Sequence, residues 1–188
     1  MDLKNLTATG LAEEFRRRHL SPVEVTSHIL QEIEKTQGTV NAYRLIDPEA
    51  ALAQARASEQ RWLQDKPLSP LDGVPAGIKD LLHVQGWPTR KGSLATSADP
   101  QRQDSPVAAR LREWGAVLLG KTNTSEFGWK NLTETALAGD TRNPWGCCGV
   151  VMHDPYPVRR AMYRDLQAFR TVPDRIRVCL HSEFQKVR

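Results

Sequence analysis

The chain has 188 residues, a formal net charge of +4 and 39% hydrophobic residues. This length is enough for one hydrophobic core and too short for two domains of typical size. No run of about 18 apolar residues occurs, which argues against a membrane span, and residues 1–5 lack the basic-then-apolar pattern of a secretory signal. Three cysteines without framework spacing fit a reducing compartment, so we expect a cytoplasmic protein.

Charge is divided unevenly along the chain. Through Trp145 there are 18 basic and 18 acidic residues, whereas 8 basic and 4 acidic residues follow from Gly146 onward. All three cysteines lie in that last part as well. This change predicts a junction between sequences of different origin, with one domain over residues 1–145 and an unrelated basic tail over 146–188. A frameshift, a gene fusion or an insertion would each produce it.

The N-terminal part of the chain carries the signals of helices. Residues 11–15 repeat apolar side chains at helical spacing after a candidate N-cap at Thr7 or Thr9. The run Ser21-Pro22-Val23-Glu24 combines an N-cap, a proline at the first helical position and a capping box. It predicts a helix to about Thr36. The residues expected to be buried on this helix are Val23, Val25, Ile29, Leu30 and Ile33.

Residues 40–46 then form a candidate strand or extended link. Asp47-Pro48 predicts the start of another helix, rich in alanine and running to about Gln64. The residues expected on its apolar side are Ala51, Leu52, Ala55 and Leu63. The simplest role for all of these helices is packing.

Residues 71–80 place a lysine, Lys79, at the end of a short apolar run punctuated by glycine and proline. The run 74–78 is too short and too broken for a helix, and we interpret it as a buried strand. If that strand carries Lys79 into the interior, desolvation lowers the pKa of its ammonium group, and the lysine can act as a base near neutral pH. The alternative is that Lys79 reaches solvent at the end of the strand.

The next segment continues in the order expected of an α/β layer. Residues 86–100 have loop composition, and Asp104-Ser105-Pro106 predicts a helix that runs to about Trp114 and stops at Gly115. Residues 116–119 follow as a short buried strand. The order strand, helix, strand predicts a parallel or mixed sheet.

Several motifs in this region occur in a shared order and spacing. They are residues 71–80, 89–93, 104–106 and 115–123, then Glu126-Phe127 and Asn143-Pro144-Trp145. Over about residues 7–145 the chain resembles the N-terminal part of the amidase signature family, which includes amidases and the A subunits of glutamyl-tRNA amidotransferases. The resemblance implies an α/β fold in which N-terminal helices pack on a partial mixed sheet. It also implies hydrolysis of amide C–N bonds in a small-molecule substrate, without a cofactor or a metal.

The resemblance assigns Lys79 to a Ser–cis-Ser–Lys catalytic triad. Both serines of that triad belong to a Gly/Ser-rich stretch that begins shortly after Asn-Pro-Trp. Here the sequence continues instead as Gly146-Cys147-Cys148-Gly149, and no Gly-Gly-Ser-Ser-Gly-Gly-like segment follows. We therefore expect a truncated or frameshifted amidase-like chain that is inactive alone. Other hydroxyl groups are interpreted as loop residues and helix caps, namely Ser93, Ser97, Ser105 and Ser125.

A chain of this kind is expected to expose surface that the rest of the fold would cover. The strands 74–78 and 116–119 would present open edges. The protein would then be unstable, aggregate, or need a partner chain that covers its core surface.

Two other motifs resemble the patterns of a nucleotide site and of a zinc site. Residues 115–122 satisfy the phosphate-loop pattern G-x-x-x-x-G-K-[ST], but a helix precedes them and the four intervening residues are apolar and strand-like, so we expect no nucleotide site. The cysteines and histidines of the tail lack the spacing of a zinc site and are interpreted as incidental. They are Cys147, Cys148, His153, Cys179 and His181.

As an alternative, the chain is a non-catalytic interaction protein that uses a basic helix in its tail. Residues 158–169 have apolar side chains near helical spacing with arginines around them, and Pro173 would end that helix. A basic amphipathic helix can bind a partner groove, an anionic lipid or a nucleic acid. The excess charge of +4 is small, so nucleic acid is not the expected partner.

Overall fold

A computed structural model describes residues 6–143 of the chain. The predicted tail helix and the tail cysteines and histidines lie outside these residues. The elements, in chain order, are α1 (Ala8–Arg16), α2 (Pro22–Val40), β1 (Tyr43–Ile46), α3 (Pro48–Leu63), β2 (Pro75–Lys79), α4 (Pro106–Glu113), β3 (Val117–Thr122), a 3₁₀ turn (Glu126–Gly128), β4 (Glu134–Thr135) and β5 (Gly139–Asp140).

The first two helices begin where their caps predict. Thr7 accepts a hydrogen bond from the backbone N–H of Gly10, and Ser21 and Glu24 form the complete capping box. Helix α2 continues past the expected end near Thr36 and stops at Asn41, which has the left-handed conformation (φ 52°). Gly38 lies inside the helix, because a glycine only weakens a helix that tertiary packing supports.

Helix α3 also begins as predicted, with the Asp47 side chain accepting from the N–H of Ala50. Ala51 and Ala55 are fully buried, as expected, but Leu63 is 51% exposed and that part of the prediction is wrong. The neighbouring Trp62 is buried instead, with its ring centroid 6.2 Å from that of Phe15. The indole Nε1 of Trp62 donates to the carbonyl of Asp72, which fixes the rotation of the helix end.

The main sheet is mixed and has the strand order β1-β3-β2. Strand β3 pairs antiparallel with β1 and parallel with β2. The predicted strand at residues 116–119 is thus the central one, and the expectation that it has an open edge is wrong. The edges of the sheet are β1 and β2. Strand β2 is less buried than expected, since among its residues Ile78 alone is buried.

Apolar clusters cover both faces of this sheet. On one face, Val117 and Leu119 pack with Ala51 and Ala55 of α3, and side chains of α2 lie against them. On the other face, a second cluster includes residues of β2, β3, α4 and the intervening loop: Ile78, Val84, Trp87, Ala108 and Leu118. The layered α/β arrangement predicted from the element order is therefore present. None of the helices formed by residues 6–143 combines the length and the apolar character that a membrane span requires.

Candidate functional site

Lys79 is the last residue of β2 and is half-buried. It pairs with Thr122 of β3, which in turn pairs with Tyr43 of β1. Because side chains alternate along a strand, Lys79 lies on the opposite face from its buried neighbour Ile78. Lys79 is therefore on the face of the sheet that carries Tyr43, close to the end of the strand.

Tyr43 extends across this face toward β2. Its hydroxyl oxygen lies 3.0 Å from the position that a Cβ atom on Gly77 would occupy. The absence of a side chain at Gly77, two residues before Lys79, thus makes room for the phenol ring. Burial raises the pKa of Tyr43 above its ordinary value of 10.0, because desolvation penalises the phenolate. The surroundings of Lys79 consequently include a neutral hydroxyl-bearing ring.

Asp80 follows Lys79 and joins the strand to a loop. Its backbone N–H donates to the carbonyl of Thr122 (3.0 Å), and its own carbonyl accepts from the N–H of Lys91 (3.0 Å). Its carboxylate accepts from the N–H of Arg90 (3.3 Å) and is almost fully buried. Through these contacts the residue next to Lys79 is bound both to the central strand and to the loop that carries Ser93.

The carboxylate of Asp80 also pairs with a second lysine, Lys121. The two charged atoms, Asp80 Oδ1 and Lys121 Nζ, are 3.2 Å apart, and the Lys121 side chain is fully buried. The ammonium donates further to the carbonyl of Leu82 (2.7 Å) and to Thr89 Oγ1 (2.9 Å). Burial lowers the pKa of Lys121, and the charge of Asp80 and its hydrogen bond partly oppose that effect. The sequence prediction of site residues did not include Lys121 or Asp80.

Packing explains the glycines and the lysine of the phosphate-loop pattern at residues 115–122. A Cβ atom on Gly115 would stand 2.5 Å from a carboxylate oxygen of Asp72, and one on Gly120 would stand 2.1 Å from the carbonyl of Leu45. The lysine of the motif is the buried Lys121. Residues Val117–Thr122 form a strand with neighbours on both sides, so their backbone groups belong to a sheet ladder rather than to an anion cradle.

The four candidate serines lie in loops or directly before helical turns in the described region. Ser93 is buried and accepts a hydrogen bond from the N–H of Ala95, whereas Ser97 bonds to the carboxylate of Asp99. Ser105 stands at the predicted N-cap position, but its side chain makes no capping bond. The buried Oγ atoms of Ser105 and Ser125 have no hydrogen-bond partner. None of these four is in a Gly/Ser-rich segment.

An open depression lies beside the turn that follows Lys79. Its lining residues are Glu126, Phe127, Trp129, Lys130, Glu134, Thr135, Ala136 and Asp140. A Cβ atom on Gly128 would come within 2.9 Å of Leu81, so the depression adjoins the segment after β2. Trp129 is 92% exposed and Phe127 is 56% exposed. Within residues 6–143, no group of three or more histidine, cysteine, aspartate or glutamate side chains could hold a metal ion.

Comparison with known proteins decides the family. A family model described as Amidase matches residues 24–148. The chain belongs to the amidase family. Within it, the chain is 41% identical over 144 residues to the A-type subunit of the glutamyl-tRNA(Gln) amidotransferase from Salinispora arenicola, and 39% identical over 145 residues to its counterpart from Geobacter sulfurreducens. Each match covers 77% of this chain, and the chain spans only about 30% of the length of these relatives.

Solved amidase structures share the fold. The peptide amidase of Stenotrophomonas maltophilia is 30% identical, with a TM-score of 0.69, over 76% of this chain and 30% of its own. A chain from "An unexpected vestigial protein complex reveals the evolutionary origins of an s-triazine catabolic enzyme" is 33% identical, with a TM-score of 0.71, over 75% of this chain and 31% of its own. The predicted fold class, N-terminal helices on a partial mixed sheet of the amidase signature type, is confirmed. Hydrolysis of amide C–N bonds is the chemistry of the family.

Proposed function

We propose that Lys79 is the general base of an amidase-type site, and that this polypeptide supplies the base without the two serines that would use it. The position of Lys79 supports the proposal: it ends β2, on the sheet of an amidase fold, in the segment 71–80 that resembles the lysine motif of the family. In the reaction, a neutral lysine accepts a proton through a bridging serine. A second serine attacks the amide carbonyl, forms an acyl-enzyme and releases the amine, and water then releases the acid.

The proposed consequence is that the 188-residue polypeptide does not hydrolyse amides by itself. Residues 146–188 contain no Gly/Ser-rich segment. Loss of the nucleophile from a triad whose members act as a unit lowers kcat by roughly 10⁶. Removal of a single oxyanion donor costs about 3–4 kcal/mol of transition-state stabilisation, and those donors lie next to the absent nucleophile in this reaction.

The role of Lys79 can be tested without catalysis. Competitive acetylation, read by mass spectrometry as a function of pH, measures the neutral fraction of each lysine in the folded chain. Lys35 and Lys130 are the internal references, since their side chains are 66% and 44% exposed. We expect Lys79 to reach its full acetylation rate at a lower pH than either reference. An identical pH profile for all three lysines would overturn the assignment of Lys79 as a base.

The proposed break in the enzyme gene has its own test. If the tail arose by a frameshift, the nucleotide sequence around codon 146 contains, in a shifted reading frame, a stretch that encodes the Gly/Ser-rich nucleophile segment. Such a frame would identify the basic tail as a frameshift product. If all reading frames lack this stretch, a frameshift is excluded and a fusion or an insertion would be the source of the tail.

A further inference from the structure

The buried ammonium of Lys121 is bound entirely by the segment that follows Lys79. An ammonium group has three N–H donors, and here they meet Asp80 Oδ1, the carbonyl of Leu82 and Thr89 Oγ1 at 3.2, 2.7 and 2.9 Å. All three acceptors lie within residues 80–89. A fully buried ammonium requires such compensation, since an unpaired one would be strongly unfavourable in the interior.

An irregularity in β3 directs Lys121 to this position. Along β2, Ala76 pairs with Leu118 and Gly77 pairs with Gly120, so Leu119 is an extra residue in β3. The bulge places Lys121 opposite Ile78, on the face that carries the second apolar cluster. Without the extra residue, the alternation of side chains would turn a residue at this point toward the opposite face.

The contacts of Asp80 carry the effect of Lys121 to the site. Asp80 is covalently adjacent to Lys79, and its backbone bonds to Thr122 and Lys91 fix it from two sides. Lys121 neutralises its carboxylate from a third side. We infer that Lys121 is a positioning residue, which fixes the end of β2 through Asp80 and thereby sets the orientation and reactivity of Lys79. This inference rests on the proposed role of Lys79.

The test compares the acetylation rate of Lys79 in the full chain and in its variants at a pH below the midpoint of its acetylation profile, where the rate is proportional to the neutral fraction. In Lys121→Met, the carboxylate of Asp80 loses its cation and then stabilises the charged form of Lys79. We expect a fall of about threefold in the Lys79 rate, equivalent to about half a pKa unit, with Lys35 and Lys130 unchanged. Thr89→Val removes one of the three acceptors that hold the Lys121 ammonium against Asp80, so its contact with Asp80 weakens and we expect a smaller fall in the Lys79 rate. If Lys121→Met fails to fold, Thr89→Val decides the question.

Val25→Ala is the control for a merely structural effect. Val25 is buried in a cluster formed with α1 and α3, away from Asp80, so its truncation lowers stability without altering the charges beside Lys79. The inference is overturned if the Lys79 rate in the Lys121 and Thr89 variants stays unchanged relative to the reference lysines, or if Val25→Ala lowers it equally. If Lys79 has an ordinary pH profile in the unsubstituted chain, the proposed function fails, whereas the comparison of variants still decides the role of Lys121.

Discussion

At the scale of single residues, the buried carboxylate of Asp72 is paired with a cation. Arg61 binds Asp72 through two hydrogen bonds, from Nε to Oδ2 at 2.7 Å and from Nη2 to Oδ1 at 2.6 Å. The Asp72 side chain is fully buried and also accepts from the N–H of Leu68. The hydrogen bond to Asp72 raises the pKa of Arg61. This pair links α3 to the turn that precedes β2.

We predict that Arg61→Met lowers the free energy of unfolding by about 3–5 kcal/mol, because it leaves the buried carboxylate of Asp72 without a cation. Arg110→Met is the matched control. Arg110 also pairs with a carboxylate, that of Glu113, but both side chains are more than half exposed, and such pairs contribute about 0–1 kcal/mol. Urea denaturation of the two variants measures the difference. Equal stabilities would contradict the structural role of the buried pair.

Gly120 provides a second test at the residue scale. Its φ of 156° and the carbonyl of Leu45, 2.1 Å from the position of a Cβ atom, leave no room for alanine. Gly120→Ala should therefore separate β1 from β3 and prevent a cooperative thermal transition. In contrast, nothing lies within 4 Å of a Cβ atom at Gly38, and Gly38→Ala should stabilise α2 by up to about 1 kcal/mol. A Gly120→Ala chain that melts like the parent would contradict this.

At the scale of elements, local chemistry predicts where helices begin, whereas the site depends on contacts between distant parts of the chain. Ser21-Pro22 and Asp47-Pro48 identify the starts of α2 and α3 because a cap involves neighbouring residues only. Lys79 could be selected from its motif. Lys121 could not, because its partners Asp80 and Thr89 approach it only through the pairing of β2 with β3. Its place in a phosphate-loop pattern was the available signal, and it indicated a different chemistry.

Tyr43 of β1 is expected to make the stability of the fold depend on pH. Its pKa in the folded chain is raised above 10.0, so the unfolded chain loses the tyrosine proton first. Stability from this group is therefore complete below pH 10.0 and is lost as the pH rises through the folded-state pKa. Tyr43→Phe should lose less stability than the parent between pH 9 and pH 11, measured by urea denaturation. An equal loss in both proteins would contradict a partly buried, neutral Tyr43.

At the scale of the whole molecule, the described region exposes three large apolar side chains in or shortly after the 3₁₀ turn, and two of them line the depression. Trp129, Phe127 and Leu132 are 92%, 56% and 40% exposed. An apolar group of this kind marks an interaction surface or an aggregation site. The partner chain expected from the sequence would cover this surface. The other predicted partner surface, the basic tail helix, lies outside the described residues.

We predict that the purified chain self-associates through this surface and that Trp129→Ser reduces the association, measured by light scattering and by binding of a hydrophobic dye. Leu68→Ser is the matched control, since Leu68 is 55% exposed but does not line the depression. It should have the smaller effect. A monomer with a sharp, cooperative thermal transition, unaffected by Trp129→Ser, would show that the surface needs no cover.

The most direct measurement is ammonia release from simple primary amides by the purified 188-residue chain, with Lys79→Ala as the control. We predict equal release from both proteins, at the background level, because the proposed base, Lys79, would have no serine nucleophile to activate. Release from the unsubstituted chain above that of Lys79→Ala would contradict this, and would show that another hydroxyl group in the chain completes the active site.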